Sequence, residues 1–179
     1  MSEIWSKILQ NSRKEPWTTW YLDEVFININ AVLLYLWWAV DQDGDEIDIL
    51  VQKRKDKKAA RRFFRKLLKG QQAGPIKIAT DKLRSYSAAK QELIPSVEHS
   101  TQQYENNRCE LCHQPSRQEK RKMRKFTSLG QAQRFLSCHG VVNNLFRLGR
   151  HLMKANNYRV LRDRAFVEWD RASCVQNLV

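Results

Sequence analysis

Long apolar runs are missing from this chain. The longest, Ala31-Val-Leu-Leu-Tyr-Leu-Trp-Trp-Ala-Val40, is about half of the roughly 20 residues that a helical membrane span needs, so it reads as a buried strand. The N-terminus, Met1-Ser-Glu-Ile-Trp-Ser-Lys7, lacks a basic segment followed by an apolar core. No secretory leader is therefore expected, and the chain is placed in the cytoplasm without a membrane partner. Cysteine is sparse, and the 4 thiols of a cytoplasmic chain are expected to stay reduced. Internal repeats and low-complexity segments do not occur. Carboxylates are also short, with 19 Asp and Glu against 32 Lys and Arg, for a net charge of +13. That imbalance favours a polyanionic partner, nucleic acid ahead of an anionic membrane surface.

What is present argues for a folded domain. Hydrophobic residues make up 42% of 179, with 6 Trp, 5 Tyr and 7 Phe, enough for one domain with a real core. Residues 1–16 form a short leading segment in which Ile4, Trp5, Ile8 and Leu9 suit one amphipathic helix. Aromatic and β-branched residues then mark strands over Trp17–Ile29, Val32–Asp41 and Glu46–Gln52. The last two are joined by an Asp43-Gly44 turn whose acids fail the EF-hand spacing. In Lys53–Lys69, Ala59, Ala60, Phe63, Phe64, Leu67 and Leu68 recur at helical spacing beneath a basic outer face, with Asp56 as a cap. A short strand over Pro75–Thr80, a helix over Leu83–Leu93, a short strand over Ser96–Ser100 and charged helical sequence from Asn106 follow. Amphipathic helices close the chain at Ser128–Phe146 and Tyr158–Trp169.

This order implies an α/β fold, a mixed sheet flanked by helices. It is the order of a ribonuclease-H-like domain over 17–127, with 128–179 as a C-terminal helical extension packing on that core. Asp23 lies inside the apolar run Trp20–Ile27 and Asp81 closes the run Ile76–Asp81, while Glu110 sits among basic and amide side chains. In such a domain the first and fourth strands are neighbours, so Asp23 and Asp81 would meet, with Glu110 brought across them; that step is fold analogy. Three such acids are the raw material of a two-metal phosphoryl-transfer site. Two Mg²⁺ ions, which prefer hard oxygen ligands, activate the attacking oxygen and stabilise the leaving one.

Cys109-Glu-Leu-Cys112-His113 offers rival chemistry. As C-x-x-C-H it matches a c-type haem attachment, which a cytoplasmic, basic, Trp-rich chain does not suit, so haem is not expected. With Cys138-His139 it could hold zinc, although the same residues also read as incidental thiols on a helix.

Several segments taken together resemble the DDE transposases of the insertion-sequence-six family. They are Trp20-Tyr-Leu-Asp-Glu-Val-Phe-Ile27, Tyr35-Leu-Trp37, Ala39-Val-Asp-Gln-Asp-Gly44, Lys53-Arg-Lys-Asp56, Thr80-Asp-Lys-Leu-Arg-Ser-Tyr86 and Asn106-Asn-Arg-Cys-Glu110 with His113-Gln-Pro115. The resemblance runs from about Trp17 to about Trp169. It implies a catalytic triad of Asp23, Asp81 and Glu110 that binds Mg²⁺, with Mn²⁺ able to substitute. It also implies DNA cleavage and joining at the ends of an insertion sequence, by a homo-oligomer in the bacterial nucleoid. Arg117 matches the basic residue that follows the glutamate. Lys53, Arg54, Lys57 and Arg61 on one basic segment and Arg121 on another are expected to bind the DNA backbone. The chain departs from the family before Asp23, where no helix-turn-helix is legible, and at Asn30-Ala31, where a Gly-containing turn is usual. The first departure leaves a second reading, a truncated, catalytically silent nucleic-acid-binding remnant.

Overall fold

The computed structural model describes residues 19–71, 74–81, 84–102, 126–147 and 154–173. Strands β1 (Thr19–Ile29), β2 (Val32–Val40) and β3 (Glu46–Gln52) come first, then helix α1 (Lys57–Gly70), β4 (Lys77–Thr80), α2 (Arg84–Leu93) and β5 (Glu98–Ser100). Helices α3 (Leu129–Arg147) and α4 (Ala155–Ser173) follow. The sheet order is β3-β2-β1-β4-β5. The first three strands pair antiparallel, while β4 lies parallel to both β1 and β5. This is the ribonuclease-H-like arrangement expected from the sequence. Among the described residues, no helix is long and apolar enough to cross a membrane.

Alternation along β1 and β2 gives the sheet two different faces. Trp20, Leu22, Trp37 and Ala39 point to one face, where they pack with Ala59, Ala60, Phe63, Phe64 and Leu67 of α1 and Tyr86 and Ala89 of α2. Aromatic rings knit that layer, Trp37 lying 5.9 Å from Phe63 and 5.4 Å from Tyr86 between centroids. On the other face Ile27, Ile29, Leu34, Leu36, Ile49 and Val51 pack with Phe126 and with Ala132 and Leu136 of α3. Each face therefore takes its own helices, as the apolar stripes of α1 and of the first part of α3 require.

Local chemistry sets the boundaries. The α1 helix starts at Lys57 because Asp56 caps it, accepting the Ala59 N–H at 2.8 Å; Lys53–Lys55, expected at the start of the helix, instead form its approach. The β2–β3 turn is closed by Asp41, which accepts the N–H groups of Asp43 and Asp45 at 2.8 and 2.9 Å, with Gly44 at φ 83°. At the β1–β2 hairpin both central residues are left-handed, Asn30 at φ 51° and Ala31 at φ 60°. The tail helix is longer than expected, running from Ala155 to Ser173.

Residues 15–140 form one compact unit that holds the sheet, α1, α2 and the first part of α3; the remainder of α3 from Val141, together with α4, belongs to a second. Within that second unit Phe146 meets Phe166 at 5.0 Å and Trp169 at 6.1 Å. The N-terminal helix expected around Ile4–Leu9 and the charged helical stretch after Asn106 lie outside the described residues.

Candidate active site

Strand register brings the first two acids together. The parallel pairing of β1 with β4 matches Tyr21 with Ala79 and Leu22 with Thr80. Asp23 is the next residue of β1 and Asp81 is the residue that follows the end of β4, and the two strands run about 4.8 Å apart. Parity places Asp23 on the face opposite α1 and α2, because Leu22 is buried against those helices. Asp23 is half-buried, sits across from Trp38 on β2, and accepts the Glu24 N–H at 2.8 Å. Asp81 is exposed where β4 ends. Beneath it, Thr80 Oγ1 donates to the Asp81 carbonyl at 2.7 Å and lies 2.8 Å from His99 Nε2. Burial, and the charge of Lys90, hold the His99 imidazole below its usual range.

The fully sequestered acid is Glu24, one residue on. Its side chain is 1% exposed on the α1–α2 face and pairs with Lys55, which remains a quarter exposed. Burial raises the Glu24 carboxyl to about 7; Lys55 and the Tyr86 hydroxyl oppose the shift, while the charge of Asp81 adds to it. Tyr86 is itself pushed up by burial and by that carboxylate. Sequence reasoning put Glu24 on the face opposite Asp23 but missed Lys55 as its partner. The signal was available: a carboxylate at a position in phase with Trp20 and Leu22 needs a cation, and Lys53–Lys55 is the basic segment that follows the hairpin.

The other expected residues divide. Lys53 and Arg54 are exposed. Lys57 and Arg61 both reach Glu92 on α2, Lys57 at 3.9 Å, so part of their charge is met within the fold. Glu110, Arg117 and Arg121 lie outside the described residues, as do Cys109, Cys112 and His113. Of the possible zinc partners that are described, Cys138 is an exposed thiol and His139 stacks on Phe135 at 5.7 Å. Among the described residues, no group of three or more His, Cys, Asp or Glu is placed to hold a metal.

The donor chemistry of the aspartate pair nevertheless fits a hard divalent cation. Two carboxylates on adjacent strands, one exposed and one half-exposed, offer oxygen ligands while leaving room for water and substrate oxygens.

Residues 17–149 match a family model described as a DDE domain. The transposase for the insertion sequence-like element IS431mec of Staphylococcus aureus is 28% identical over 157 residues, covering 85% of this chain and 66% of that protein. The transposase for insertion sequence element IS257 in transposon Tn4003, also from Staphylococcus aureus, matches with the same identity and coverage. The chain thus spans 66% of the length of these relatives. Among solved structures, the HTLV-2 integrase catalytic core domain in complex with magnesium is similar with a TM-score of 0.44 and 14% identity, over 85% of this chain and 83% of that one.

Proposed function

This chain belongs to the DDE transposases of the insertion-sequence-six family, and from that premise we propose that it is a catalytic domain that cleaves and joins DNA strands with divalent metal. The observation that carries the reading is the placement of Asp23 and Asp81 directly beyond the Leu22–Thr80 pair on neighbouring parallel strands. Glu110 is the third acid. Magnesium, or manganese in its place, would be held by these three carboxylates, and when bound it supplies activation of the attacking water or 3′-hydroxyl and stabilisation of the leaving oxyanion.

The chain's own residues divide the remaining work. Asp23 is oriented in advance by the backbone of Glu24, so little ordering is left for the moment of binding. Asp81, at the open end of β4, faces the approaching phosphodiester. Lys53 and Arg54, together with Arg117 and Arg121, bind backbone phosphates and make the affinity salt-dependent. Lys57 and Arg61 contribute only as far as they leave Glu92. The protein acts in the bacterial cytoplasm, on the nucleoid, as a homo-oligomer engaging insertion-sequence ends and target DNA. Its layout is a core over 17–127 between a short segment, 1–16, and a C-terminal extension, 128–179.

The test is nicking of supercoiled plasmid in Mg²⁺ or Mn²⁺ by the parent chain and by Asp81→Asn. The parent is expected to nick, and the variant to lose nicking by about 100-fold or more while still binding DNA. Equal nicking by both would overturn the assignment. Binding without nicking by either would point to a silent remnant.

A further inference from the structure

On β1 the α1–α2 face is buried at Trp20, Leu22 and Glu24, and then the pattern breaks. Phe26, next in phase, is 55% exposed. Its position is nonetheless fixed. Tyr35, its partner across the β1–β2 ladder, lies 5.3 Å away between ring centroids, and Lys55 Nζ stands 5.7 Å from the centre of the ring. Lys55 is in turn held by the buried Glu24. Leu33, across from Asn28 on the same face, is 52% exposed. The exposed cations Lys53 and Arg54 precede Lys55 in the segment leading from β3 to α1.

A flat ring held in place by a neighbouring ring and a cation, exposed over more than half its surface and flanked by further cations, suits a nucleobase with its phosphates. A second copy of the chain suits it less well. In a two-fold dimer the same patch meets itself, which would set Lys53, Arg54 and Lys55 against their own copies, and like charges brought together at an interface are unfavourable.

We propose that Phe26, supported by Tyr35 and Lys55 and flanked by Lys53 and Arg54, is a stacking platform for an unpaired base of bound DNA. The proposal rests on the reading that this chain acts on DNA, and it adds a preference for DNA with unpaired bases over fully paired duplex.

Fluorescence anisotropy with two duplexes of equal length, one blunt and one carrying a short single-stranded overhang, tests it on the full chain in calcium. The parent should bind the overhang duplex more tightly. Phe26→Ala should weaken overhang binding about tenfold and leave blunt-duplex binding unchanged, while Phe26→Trp should retain the preference. Unchanged blunt-duplex binding also reports that the alanine variant is folded. Equal overhang affinity for the parent and Phe26→Ala overturns the platform, as does an equal loss on both duplexes. So does a Phe26→Ala chain that keeps its overhang affinity but changes oligomeric state in sedimentation, which would assign the patch to contact between copies. If the parent binds neither duplex, the DNA reading falls with it; if it binds both without preference, only the platform falls.

Discussion

Single residues here carry costs that the fold offsets nearby. The buried Glu24 is tolerated because Lys55 reaches it from the segment before α1. Removing the cation alone leaves a charge without its counter-ion, whereas removing both charges does not. Lys55→Met is therefore expected to lower unfolding free energy by about 2–3 kcal/mol, limited by protonation of a carboxyl already raised to about 7. The double variant Glu24→Gln, Lys55→Met should recover most of that loss in urea unfolding; equal losses for the single and double variants would deny the coupling. Ala31 is a second such site. Its φ of 60° places a Cβ in the left-handed region, which glycine occupies without that penalty. Ala31→Gly should stabilise the chain by about 1 kcal/mol, seen as a raised Tm, and a lowered Tm would show that the turn is not under this strain.

Among the elements, β3 stands at an edge of the sheet, where unpaired backbone groups invite association. A single α3 side chain takes the place of the missing strand. Gln133 accepts the Val51 N–H at 2.8 Å through Oε1 and donates from Nε2 to the Ile49 carbonyl at 3.0 Å, while Lys66 reaches the same carbonyl at 2.9 Å. Gln133→Ala should cost about 1–2 kcal/mol and increase concentration-dependent association in light scattering; a monodisperse variant of unchanged stability would contradict this role. The elements also show what the sequence could and could not convey. Strand and helix periods were legible because burial is local and repetitive: Phe63, Phe64 and Leu67 mark α1, and Trp20 and Leu22 mark β1. The exposure of Phe26 and the Gln133 bridge were not legible, because each depends on which segment packs over a position distant in sequence.

For the whole molecule, topology brings two acids that are far apart in sequence to neighbouring strand ends. Nothing between Asp23 and Asp81 announces that they are neighbours; adjacency follows only from the parallel pairing of β1 with β4, a crossover that also passes through α1. The order of elements made that pairing an expectation by analogy, and the register realises it. The net charge of +13 suits a polyanionic partner, and residues 17–149 match a DDE domain. The central claim is that Asp23 and Asp81 act as one unit on DNA. Its most direct test is plasmid nicking in Mn²⁺ by Asp23→Asn, Asp81→Asn and the double variant, with DNA binding measured alongside. Groups that act as a unit are non-additive, so each single variant should lose as much activity as the double while binding DNA like the parent. Losses that multiply, or an Asp23→Asn chain that still nicks, would contradict a shared site.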